Sequence, residues 1–165
     1  MRLEKDRLLH MGKAGERAAQ IALALTGDRA FAEEMFIAGL LHDVGYAFAD
    51  AKRHGIAGGQ VLERCGYRYA GAVSRHGSGE SLSLAEAIIN LADMTTSKTG
   101  EQVSMERRLA EIEKRFGADS PQYRLALLTS SCALRDAWRL TSDFSDAPYI
   151  GSVSEKAKRK GENNG

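Results

Sequence analysis

Before residue 142 the apolar residues of this chain recur at helical rather than strand spacing. Leu8, Ala14, Ala18, Ile21, Ala22 and Leu25 form one such stripe from about Glu4 to Thr26, and Gly27 supplies a C-terminal stop. Asp28 is placed to cap a second helix, Arg29 to about Asp43, which closes before Gly45. A third helix is expected from near His54 to Cys65, with Gly66 behind it, and a short fourth over Arg68 to His76, after which GSGES breaks the pattern. Ser83 opens the capping-box spacing S-L-A-E ahead of AEAIINLADMTT, a run apolar enough to predict burial. Ser104 caps MERRLAEIEKRF, which closes at Gly117, and Ser120 with Pro121 at the first helical position opens a last helix through Leu140. The fold class expected is all-α, a single compact bundle of about seven helices. Residues 1–150 read as one domain and 151–165, with SEKAKRKGENNG, as a charged flexible tail that frays after about Ile150.

Composition narrows the function classes. A chain of 165 residues buries about 70% of its unfolded surface, and 43% apolar with 27% charged residues excludes disordered, collagen-like and fibrous classes. A net charge of +1 provides no global field to gather nucleic acid or an anionic membrane, so neither is an expected partner. The tail cluster KAKRK reads as a solvated end, and a nucleic-acid-binding or regulatory module is the alternative it leaves open. Cys65 and Cys132 lie far apart without a CxxC pair, which excludes a disulfide framework and a thiolate zinc site. The charged start MRLEKDRLLHMGK has no apolar run of a signal peptide and no window approaches a spanning helix, so a cytoplasmic protein is expected.

Candidate chemistry lies in the histidines. His42 and Asp43 end an apolar run, A-G-L-L-H-D-V-G, where uncompensated burial of polar groups costs several kcal/mol. The other histidines, His10, His54 and His76, fall near expected helix ends, and Asp93 sits in the apolar run IINLADM, where packing alone predicts Ala or Leu. Converged, these six side chains form an oxygen and nitrogen donor set suited to iron, manganese, zinc or nickel, with no thiolate and room for water. Six ligands exceed the needs of one catalytic ion, and two ions sharing a bridging carboxylate would use them.

The ordered set His10, His42-Asp43, His54, His76 and Asp93, with intervals of 32, 11, 22 and 17, resembles the HD-domain superfamily of metal-dependent phosphohydrolases. The words R-L-L-H, L-L-H-D-V-G, H-G-I-A-G-G-Q-V-L and L-A-D-M-T-T are phrased like their counterparts, and the resemblance runs over about residues 5 to 140. It implies a helical HD bundle with the metal site in its core. His10, His42, Asp43 and Asp93 would hold one ion, and Asp43 would bridge to a second held by His54 and His76. It implies two divalent ions per chain, iron or manganese first, with zinc, nickel, cobalt or magnesium as other occupants. The implied activity is hydrolysis of a phosphate ester or anhydride of a small, nucleotide-like substrate by metal-activated hydroxide, with Asp43 catalytic. A di-iron oxygenase using the same sextet is the alternative enzyme.

Substrate anions need fixed positive charge beside the ions, and Arg7, Lys52, Arg53, Arg75 and Lys98 all lie within a few residues of the ligands. Arg75 and Lys98 are the selected catalytic cations, although a helical neighbour of a ligand points about 100° away from it. The place after H-D-V-G, a lysine in many of these hydrolases, is Tyr46. A packed ring is the expectation there. The alternating charges of MERRLAEIEKRF read as a solvated face packed on its own core, and the oligomeric state stays open between monomer and homodimer.

Overall fold

The computed structural model describes residues 3–145. The elements are α1 (Lys5–Thr26), α2 (Arg29–Leu41), a 3₁₀ turn (Val44–Ala47), α3 (His54–Arg64), α4 (Ala70–Arg75), α5 (Leu84–Met94), α6 (Met105–Phe116) and α7 (Pro121–Ser145). Among the described residues this is the expected all-α bundle of seven helices, and the only β pairing there is an isolated bridge between Thr96 and Gln102. The end of the expected 1–150 domain and the 151–165 tail lie outside the described residues.

Local signals act where their chemistry places them. The side chains of Asp28, Ser83 and Ser104 accept from the backbone N–H of Phe31, Glu86 and Arg107, satisfying donors that a helix start leaves orphaned. Gly27 ends α1 in the left-handed conformation at φ 68°. The second helix stops at Leu41 rather than Asp43, and α7 runs about a turn beyond Leu140.

α5 is the centre of the bundle, buried at every position from Leu84 to Met94 except Asp93. Ile88, Ile89 and Ala92 join Ala18, Ala22, Met35, Ala38 and Val73 in the main core, while Ala87 and Leu91 pack on Ala133 and Ala137 of α7. Small residues let α1 and α2 cross closely: a Cβ on Gly39 would stand 2.8 Å from the Ala14 carbonyl oxygen and 2.9 Å from Gly15 Cα. That crossing brings His10 against His42. Gly39→Ala is therefore expected to cost about 1–3 kcal/mol by overpacking. Gly12→Ala, in the same helix layer with nothing within 4 Å of its Cβ, should gain up to about 1 kcal/mol from helix propensity. Denaturant midpoints of the two variants check this; equal stability would remove the close-crossing account.

Candidate metal centre

Helix ends converge on one point. His10 lies in the second turn of α1, His42 caps the C-terminus of α2 with Asp43 next, His54 opens α3, His76 caps α4, and Asp93 is the last residue but one of α5. His10, His42, Asp43 and His76 are buried. Each imidazole donates its Nδ1–H to a backbone carbonyl: His10 to Ser97 at 2.9 Å, His42 to Gly39 at 2.7 Å, His54 to Ala51 at 2.9 Å and His76 to Val73 at 2.6 Å. A carbonyl can only accept, so all four rings carry hydrogen on Nδ1 and turn Nε2 inward.

Those inward nitrogens meet in pairs, His10 to His42 at 3.3 Å and His54 to His76 at 3.0 Å. Two neutral rings so placed set lone pair against lone pair, which only a shared proton or a cation between them relieves. Separations near 3 Å are those of adjacent ligands each about 2.1 Å from one ion. Asp43 divides its oxygens between the pairs: Oδ2 lies 3.8 Å from His10 Nε2 and 3.4 Å from His42 Nε2, Oδ1 3.2 Å from His54 Nε2 and 3.5 Å from His76 Nε2. Asp93 Oδ1 is 3.1 Å from His10 Nε2 and 4.0 Å from His42 Nε2. Two trios, His10, His42, Asp93 and His42, Asp43, His76, each bring one ligand atom per residue within 4.8 Å of the others. The six expected ligands thus stand together, and outer hydrogen bonds orient all four imidazoles as metal-binding histidines require.

Arginines balance the carboxylates. Arg7 donates to Asp43 Oδ2, and Arg108 donates to Asp93 Oδ1 at 2.9 Å. Burial opposes ionisation of Asp43, yet the surrounding imidazoles of His42, His54 and His76 hold its carboxyl well below the usual range. Burial also opposes Asp93, and there the Arg108 charge and the adjoining His10 ring win. Tyr46 stacks on His54 with ring centroids 4.2 Å apart and lies under the Arg7 guanidinium at 4.0 Å, the packed ring expected. Burial and the nearby Asp43 push its hydroxyl up, so it stays a neutral phenol.

The cluster opens into a cavity of about 850 Å³ whose wall carries Arg7, Lys52, Lys98, Arg108, Lys114 and Arg115 among apolar Ile56, Ile112, Phe116 and Leu125. Lys98 is on this wall, its ammonium 3.8 Å from Asp6 Oδ2. Arg75, the other selected cation, is not among the lining residues: its Nε donates to Glu86 Oε2 at 3.3 Å, because its place beside His76 turns it elsewhere. Arg53 does not line the cavity either. Arg108 is the site residue that sequence reasoning missed. α6 is not only a solvated charged face, since Arg108 is buried against Asp93 while Met105, Leu109, Ile112 and Phe116 are half-buried. An arginine in register with that apolar stripe was the available signal.

A family model described as HD domain matches residues 7–98, more than half of the chain. No curated protein and no solved structure matches. Among the described residues no helix is long and apolar enough to cross a membrane.

Proposed function

The chain belongs to the HD-domain family, a superfamily of metal-dependent phosphohydrolases, and on that premise we propose that it hydrolyses a phosphate ester or anhydride of a small, nucleotide-sized substrate at a dinuclear centre. One observation carries this reading: four imidazoles locked through Nδ1 present Nε2 in two facing pairs across the two oxygens of Asp43. His10, His42, Asp43 and Asp93 are assigned to one divalent ion, and Asp43, His54 and His76 to the other. Such ions supply acidification of water and charge neutralisation at a phosphoryl group. The chain's own residues do the rest. The backbone carbonyls of Gly39, Ala51, Val73 and Ser97 hold the rings in the tautomer and orientation that turn Nε2 inward. Lys98 and Lys52 set positive potential on the wall where an anion enters. A volume of about 850 Å³ exceeds phosphate alone and admits a leaving group of nucleotide size, against a wall of Ile56, Ile112, Phe116 and Leu125. Arg75, paired with Glu86 and away from the cavity lining, is not assigned to this site. Residues 1–150 are proposed as the hydrolase domain, with 151–165 dispensable for turnover, in a cytoplasmic protein.

Elemental analysis of protein prepared without chelator or nickel resin, paired with a phosphate-release screen of the manganese-loaded form, tests the assignment. Two ions per chain with phosphate release are expected. Chelation should stop release and lower Tm, since an ion bound only to the folded state stabilises it. Two irons with no hydrolysis under manganese would move the reading to a di-iron oxygenase, and a folded protein that takes up no metal would overturn both.

A further inference from the structure

Arg108 occupies an expensive position. It is buried, donates to Asp93 Oδ1 at 2.9 Å and to Glu111 Oε2 at 3.4 Å, and leaves its Nε–H buried with no acceptor. Hydrophobic side chains of similar length fill such a place at lower cost, so packing alone does not account for a guanidinium there. Arg7 stands in the matching position at the other carboxylate, on Asp43, and both arginines line the same cavity. Their present partners are two of the proposed metal ligands. Once those carboxylates are neutralised by divalent ions, two guanidinium forks remain beside the cluster with more donors than acceptors. A tetrahedral oxyanion, with several acceptor oxygens in reach of planar forks, supplies what is missing. α6 itself is tied over the site by Glu111, which accepts from Arg108 and from the backbone N–H of Lys98 at 3.2 Å. It lies beyond residues 7–98, so Arg108 is an addition to the part of the chain that the family match covers.

We propose that Arg7 and Arg108 are the two arms of a clamp that binds the substrate's phosphate group, with α6 completing the site over Asp93. This rests on the phosphohydrolase reading.

The test is titration of metal-loaded protein with inorganic phosphate by calorimetry, with metal per chain measured on the same samples. Arg108→Met and Arg7→Met are each expected to raise the phosphate Kd about tenfold or more while metal content stays at the wild-type value. Arg108→Lys, which keeps charge but loses the planar fork, should fall between. Arg107→Met, an exposed neighbour paired with Glu101, should bind like wild type. Unchanged phosphate affinity in Arg108→Met overturns the clamp, as does a loss of metal in step with phosphate, which would make Arg108 a support for Asp93 only. Should Arg108→Met fail to fold, Arg108→Lys carries the same comparison, and wild-type affinity in it overturns the proposal. Wild-type protein that holds its ions but binds no phosphate would sink the clamp and the phosphohydrolase reading together. A wild type that binds and hydrolyses while both methionine variants bind equally well would sink the clamp alone.

Discussion

Asp43→Asn is expected to abolish phosphate release and to lower affinity for both ions by more than about a hundredfold. Loss of a mere outer-shell partner already costs about 10–100-fold, and Asp43 sits at the junction of the two histidine pairs. The substitution conserves shape but replaces an acceptor oxygen with an N–H₂ group that points donors at imidazole nitrogens or at Arg7. Each carboxylate oxygen faces a different pair, within 3.2 to 3.8 Å of the four Nε2 atoms, so one change reaches both halves. The pH behaviour of metal-free protein should change as well. The Asp43 carboxyl is held well below its ordinary value, so in wild type its contribution to stability is present above the unfolded carboxyl pKa of about 3.9. That contribution is lost as pH falls through the folded value. The variant should lack this part of the acid limb and be less stable at neutral pH, where Arg7 loses its partner. Elemental analysis and denaturant melts at pH 3 to 7 provide the readouts, and wild-type metal stoichiometry in the variant would remove Asp43 from the centre.

Gly45→Ala is expected to be the most damaging small substitution in the fold. An added Cβ would stand 1.7 Å from the His54 carbonyl oxygen and 2.6 Å from Gly58 N, both backbone atoms with no rotamer to escape through. The 3₁₀ turn after Asp43 must then lift from α3, at a cost of about 3 kcal/mol or more. Because the clash falls on His54 itself, the folded fraction should lose the ion assigned to His54 and His76 before the other. A melting temperature within a degree or two of wild type, with two ions per chain, would show that the turn is not held this tightly.

The helix starts and the glycine stops were legible because their physics is local. Asp28, Ser83 and Ser104 cap wherever the chain places them, since each side chain only has to reach a backbone N–H three residues on. His42, Asp43 and Asp93 were legible for a different reason, since polar groups in apolar runs need compensation whatever the topology, while His10, His54 and His76 were legible from their places near helix ends and the ordered pattern that resembles the HD superfamily. Element ends were less so. Asp43 leaves the helix after Leu41 because the 3₁₀ turn packs onto α3, a contact between segments that no local spacing encodes. The cations divided along the same line. Nearness in sequence put Arg75 and Lys98 beside ligands, yet Arg75 turns to Glu86, while Arg108, fifteen positions after Asp93, comes to meet it. Sequence by itself determined that this chain is helical, where its helices begin and which polar groups in apolar runs need compensation, because capping and desolvation act within a few residues. Only the tertiary structure decided that Nε2 atoms face one another, that Asp43 splits its oxygens between two pairs and that Arg108 closes the wall. Those depend on how Gly15, Gly39 and Gly45 let separate backbones approach, and on which way each side chain points once they do.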